Sequence, residues 1–118
     1  MDKHEPMTDG MLDRVAEQFR ALGEPSRLRL MNLLFGGERT VGELVEASGL
    51  SLANVSKHLG FLHQLGWVTR RKEGTAVWYG LADERTFELC DLMCGRVRAR
   101  AAAEGAFAAR ERPKGPAD

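Results

Sequence analysis

Apolar side chains recur along this chain at steps of three and four, and the runs break where glycine, proline or a capping residue stands. Thr8 or Asp9 caps a first predicted helix carrying Leu12, Val15, Phe19 and Leu22, and Gly23 stops it. Pro25 suits the first turn of a second, where its missing N–H costs nothing. Leu28, Met31, Leu34 and Phe35 line one side of that helix, and Gly36-Gly37 ends it. Thr40 with Glu43 makes a capping box for a short third helix bearing Val41, Leu44 and Val45. Ser48-Gly49 then reads as a tight turn, with Gly49 free to take a left-handed backbone.

Ser51 caps a fourth helix whose inward positions are Leu52, Val55, Leu59 and Leu62, which leaves Ala53, Asn54, Ser56, Lys57 and Gly60 largely outward. Two strand-like runs follow, residues 67–72 and 75–81, with Glu73-Gly74 between them as the hairpin turn. Asp83 caps a last helix running to about Ala103. Residues 49–67 are the most informative stretch. They read as the turn and second helix of a helix-turn-helix, and the basic hairpin comes directly after. That order offers duplex DNA two surfaces, a helix for the major groove and a wing for flanking phosphates.

Length and charge sharpen this picture. The 118 residues fit one domain, divided into an N-terminal segment 1–8 expected to be flexible, a folded unit 9–104 and a tail 105–118 expected to fray. Hydrophobic content of 43% and charged content of 29% lie in the globular range. No apolar run reaches the roughly 18 residues a membrane span needs, and the opening Met-Asp-Lys-His-Glu-Pro lacks a signal-peptide layout. A cytoplasmic location is therefore expected, with Cys90 and Cys94 as thiols. Net charge is zero, but its distribution is uneven. Residues 1–50 carry six basic and nine acidic side chains, and residues 81–118 balance at seven each. Residues 51–80 carry Lys57, Arg70, Arg71 and Lys72 against Glu73 alone. The fourth helix and hairpin thus form the one basic segment, and phosphate contact needs local positive charge.

The order of four helices, hairpin and helix resembles the ArsR/SmtB family of bacterial winged-helix repressors over roughly residues 12–100. The match is carried by Ala21-Leu-Gly-Glu-Pro-Ser-Arg-Leu-Arg-Leu30, Val41-Gly-Glu-Leu44, Leu50-Ser51 through Val55-Ser-Lys-His-Leu59, Leu65-Gly-Trp-Val68, Arg71-Lys-Glu-Gly74 and Val77-Trp-Tyr79. The resemblance implies a mainly α winged helix-turn-helix with five helices and a small β-hairpin wing. It also implies a homodimer joined through its first and last helices, which binds an inverted-repeat operator in double-stranded DNA and leaves it when an inducer arrives.

If the fourth helix enters the groove, Asn54, Ser56 and Lys57 are the base-edge candidates. Asn pairs with adenine through two hydrogen bonds, Lys favours guanine acceptors and Ser serves either. Ser51 at the helix start can meet a phosphate with its hydroxyl and nearby N–H groups. His58 has two readings, backbone contact or burial against the second helix. In the wing, Arg70, Arg71, Lys72 and Thr75 are phosphate or minor-groove candidates, although strand alternation sends Arg70 and Arg71 to opposite faces. Trp78 and Tyr79 read as packing between wing and core.

No cofactor is required by these motifs, and the inducer rests on the thiols. The resemblance implies two sorts of metal site, and neither is present: the third helix has no Cys-x-Cys, and Asp83-Glu-Arg85 has no His where Asp-x-His would stand. Of the histidines His4, His58 and His63, the last two are five apart, off the spacing that shares a helix face. Cys90 and Cys94, four apart, share one face of the last helix, and Phe87, Val97 and Ala101 continue that stripe. Two readings stand. The cysteines are small buried hydrophobes in a dimer seam, or they are a thiol site for a thiophilic ion such as arsenite, or for oxidants. The resemblance extends to arsenic-responsive members with cysteines on this helix. A disulfide within the helix is disfavoured, because β-carbons about 5–6 Å apart exceed the usual bridge of about 3.8 Å. Asp91 lies off the face, and zinc would need ligands from a second protomer.

Beside the repressor reading stand a regulator of the same fold without metal sensing, a winged helix that binds protein or RNA, and a thiol enzyme. A protein-binding version should carry apolar residues at 53, 54, 56 and 57, where this chain has Ala, Asn, Ser and Lys. A thiol enzyme would need a base near Cys90 or Cys94, and the first and last helices contain no histidine.

Overall fold

The computed structural model describes residues 5–105, and the expectations for residues 1–4, His4 included, and 106–118 lie outside them. Five helices and three short strands follow in the order α1 (Asp9–Leu22), α2 (Pro25–Leu34), β1 (Arg39–Thr40), α3 (Val41–Ser48), α4 (Leu52–Gln64), β2 (Val68–Glu73), β3 (Ala76–Leu81) and α5 (Glu84–Glu104). Each helix begins where a side chain can accept an orphan N–H. Thr8 caps α1 and Ser51 caps α4, each accepting the amide three residues on. Thr40 and Glu43 close a reciprocal capping box at α3, at 3.2 and 2.9 Å. Asp83 accepts from the amides of Arg85 and Thr86 at the start of α5. The α2 cap is Glu24, whose carboxylate takes the Ser26 amide at 2.9 Å.

The core gathers under α4. Leu30, Met31 and Leu34 of α2, Leu44 of α3, and Val55, Leu59 and Leu62 of α4 are fully buried. Burying such a side chain is worth about 1.5–3 kcal/mol relative to leaving it in water, so this cluster fixes how α4 sits on its neighbours. Val68 and Tyr79 extend the cluster into the sheet. Trp67, at the entry to the wing, donates its indole N–H to Gln18 Oε1 of α1 at 2.7 Å, tying the hairpin's base to the first helix.

Three expectations are corrected. A third strand, β1, pairs antiparallel with β3 through Arg39↔Tyr79 and Thr40↔Trp78, giving the order β1-β3-β2. The hairpin turn is Gly74-Thr75 rather than Glu73-Gly74, because Glu73 pairs with Ala76. Gly74 has φ 62° and no non-glycine residue among those described has positive φ, so Thr75 does not, the pattern of a type II′ loop, which needs glycine first. Leu52 is not inward. It is 60% exposed, because it opens the first turn of α4 ahead of the packed part of that helix.

α5 is docked at its start. Thr86 is its buried residue, and Phe87 meets Phe35 edge-to-face with centroids 5.0 Å apart. Residues 91–100 are all exposed, including Leu92, Met93 and Val97. On α1 only Ala21 and Leu22 are buried, while Met11, Leu12 and Phe19 face solvent.

Candidate nucleic-acid interface

The inward side chains of α4 leave a polar, cationic outer face. Ala53, Asn54, Ser56, Lys57 and Gly60 are all exposed. Among the described residues, the side chains of Asn54, Ser56 and Lys57 enter no hydrogen bond or ion pair, so their donors and acceptors are free for a ligand. Ser51 also sits at the exposed start of α4, but its hydroxyl oxygen already accepts the Asn54 amide at 3.1 Å. What it can offer outward is its hydroxyl proton, beside the first-turn N–H groups.

His58 lies elsewhere. It is 9% exposed and turned toward α2, so the two sequence readings resolve to burial. Its Nδ1 is 3.4 Å from Arg27 Nη1, and its Nε2 is 3.5 Å from Glu24 Oε2. Arg27 also lies over the Phe61 ring, 4.7 Å from its centroid, and donates to the carbonyl oxygens of Ala21 and Arg20. Glu24 is held below the usual carboxylate range, first by the Ser26 amide and, against its burial, by His58 and Arg27 beside it. Sequence reading passed over Glu24 and Arg27, although both lie in the conspicuous run from Ala21 to Leu30.

In the wing, strand alternation divides the cations. Arg70 and Lys72 share the face of Val68, are exposed, and have no ion pair among the described residues. Thr75 is exposed at the loop tip. Arg71 points to the other face. Its guanidinium meets Glu38 at 2.9 Å and Glu73 at 2.7 Å, and its Cζ lies 5.6 Å from the Trp78 centroid. These bonds hold Glu38 below its ordinary pKa and raise that of Arg71. The sequence grouped Arg71 with its neighbours. Its acidic partner lies 33 residues upstream and comes close because β1 places Glu38 at the sheet edge.

The cysteines occupy a second place. Cys90 is half-buried and Cys94 exposed, and with Phe19, Leu28, Leu89 and Met93 they line an apolar groove of about 260 Å³ between α1, α2 and α5. Burial, and secondarily the neighbouring Cys94, raises the Cys90 pKa above the usual thiol value. Cys90 is thus kept as a thiol rather than activated as a thiolate. Among the described residues no cluster of three or more His, Cys, Asp or Glu side chains could hold a metal, so within one protomer the groove offers a metal ion two thiol sulfurs, with the Met93 thioether beside them. No described helix is long and apolar enough to cross a membrane.

The profile of the bacterial regulatory protein, arsR family, matches residues 24–70. A probable mercury resistance operon repressor of Streptomyces lividans is 42% identical over 77 residues, covering 65% of this chain and 62% of that protein. The chain thus spans a little under two thirds of that relative's length. Among solved structures, Rv0081 of M. tuberculosis is 34% identical with a TM-score of 0.74, covering 82% of this chain and 97% of the other. The homodimeric winged helix-turn-helix DNA-binding domain Mb0332 of Mycobacterium bovis, a possible ArsR-family regulator, is 34% identical with a TM-score of 0.70. That match covers 86% of this chain and 92% of the other.

Proposed function

This chain belongs to the arsR family of bacterial regulatory proteins, and from that premise we propose that it is a homodimeric, sequence-specific DNA-binding transcriptional repressor. The observation that carries the proposal is the outer face of α4, where Asn54, Ser56 and Lys57 stand exposed and unengaged beside the free cations of the wing. α4 enters the major groove, Asn54 and Lys57 read base edges, and Ser51 meets a phosphate at the helix start. Arg70, Lys72 and Thr75 touch the flanking backbone. Two copies, joined by the exposed apolar faces of α1 and α5, read an inverted repeat whose half-sites lie about one helical turn, 34–36 Å, apart. The homodimeric Mb0332 domain supports that arrangement by likeness.

The test is a band-shift titration on a duplex selected by the protein from a random library. Asn54→Ala and Lys57→Ala should each weaken binding by about 1–3 kcal/mol, and unchanged affinity in both would remove α4 from the reading role.

We further propose that Cys90 and Cys94 are where a thiophilic inducer acts. Their shared groove and the name of the mercury-operon relative support this. A soft ion binds both sulfurs as thiolates and releases their protons to solvent, so the raised Cys90 pKa makes capture favour higher pH. The double variant Cys90→Ser/Cys94→Ser should bind DNA as the parent does yet ignore arsenite and mercuric ion. If it still lets go of the duplex on adding either ion, the thiols are packing residues only.

A further inference from the structure

His58 is a buried titratable group on the back of the helix proposed to read DNA, and base reading does not use it. The charged groups facing its ring are Glu24 and Arg27, both from the start of α2. Lys57, next to it on α4, points outward, and the charged residues of α3 and β2, the other elements packed against α4, form no ion pair or hydrogen bond with it. Arginine only donates, so Nδ1 must accept from Arg27, and the neutral ring carries its proton on Nε2, facing Glu24. The Nε2···Oε2 contact is 3.5 Å, and Glu24 Oε2 is buried with no hydrogen-bond partner among the described residues. Protonating His58 at Nδ1 sets a cation 3.4 Å from the Arg27 guanidinium and removes the lone pair that takes its N–H. The contact between the ring and Arg27, which joins α4 to the start of α2, is the one that this change breaks.

From this geometry we propose that neutral His58 is a positioning residue for DNA recognition, keying the roll of α4 to the start of α2, and that its protonation loosens α4 and weakens DNA binding. The inference rests on the DNA-binding reading above. Arg27 bridges the two helices from a fixed stem, held by carbonyls at the end of α1 and by the Phe61 face. A change at the ring therefore reaches α4 at a point only four residues from Asn54.

Two measurements test it. Ring ¹⁵N spectra of the DNA-free protein should show His58 as the Nε2–H tautomer at neutral pH, and the opposite tautomer would overturn the proposal without reference to DNA. Affinity for the library-selected duplex, followed by anisotropy, should fall about tenfold between about pH 8 and about pH 5.5 in the parent protein. His58→Gln, which keeps an acceptor and a donor but does not titrate, should bind a few-fold more weakly than the parent at the upper pH, with a flat profile. His63→Gln, altering an exposed ring, should keep the parent's slope. Circular dichroism at each pH separates a loosened helix from global unfolding. A parent profile as flat as that of His58→Gln overturns the positioning role while leaving the DNA-binding reading intact. Failure of the parent to select any duplex would overturn both.

Discussion

A cation held between two carboxylates has little field left for a phosphate, and Arg71 is in that position, bonded to Glu38 and Glu73 and lying over Trp78. All three groups are exposed, so the pair energies are small and screened by salt, but the geometry decides which wing charges are available. Arg70 and Lys72, on the opposite face, are unpaired among the described residues and, on the proposed reading, would displace counterions from DNA at full charge. Arg70→Ala or Lys72→Ala should each reduce the slope of log affinity against log salt by about 0.9. Arg71→Ala should change that slope less, because a guanidinium already paired with Glu38 and Glu73 displaces few counterions from DNA. Anisotropy titrations between about 50 and 200 mM salt read the difference. A slope change in Arg71→Ala equal to that in Arg70→Ala would mean that DNA takes the guanidinium from Glu38. The same scale explains what the sequence hid. Arg70 and Arg71 are adjacent cations in the chain, and only the fold, by setting Glu38 beside one of them, makes them different.

Elements with a local cause were legible. Thr40 with Glu43, Ser51 and Asp83 cap the helices expected of them, and Gly49 ends α3 with φ 76°. Capping is chemistry within three residues, so the chain displays it directly. β1 had no such signature. Two residues carry no periodicity, and Arg39–Thr40 becomes a strand only because β3 arrives some forty residues later to pair with it. Leu52 shows the limit of periodicity from the other side. It continues the step of three to Val55, but the packing partners of α4 begin a turn further on. The outer face of α4 could be read because it is what remains once Val55, Leu59 and Leu62 are turned inward. The depth of His58 could not, since the same helical position suits a ring reaching the backbone or one sealed under Arg27, and α2 decides between them.

At the scale of the molecule, the unfinished surface is α5. Its 21 residues span about 31 Å, yet one protomer buries only their beginning and leaves Leu92, Met93 and Val97 in solvent. Contiguous exposed apolar side chains of this extent mark an interface, and a two-fold arrangement satisfies both copies with one patch. Met93 is its natural test point, since it lines both the thiol groove and the shallow hollow beyond it with Arg96 and Val97. Its side chain is half exposed and outside the core, so a charge there does not disturb the protomer's own packing. Met93→Glu buries two like charges against each other across the seam, and the desolvation cost falls on the dimer alone. Sedimentation equilibrium should therefore report a monomer where the parent is a dimer, with circular dichroism unchanged. DNA affinity should fall by far more than either α4 substitution causes, since the second half-site no longer binds as an intramolecular event. A Met93→Glu protein that keeps the dimer mass and the full inverted-repeat footprint would place the seam on another face and separate the thiol groove from the dimer axis.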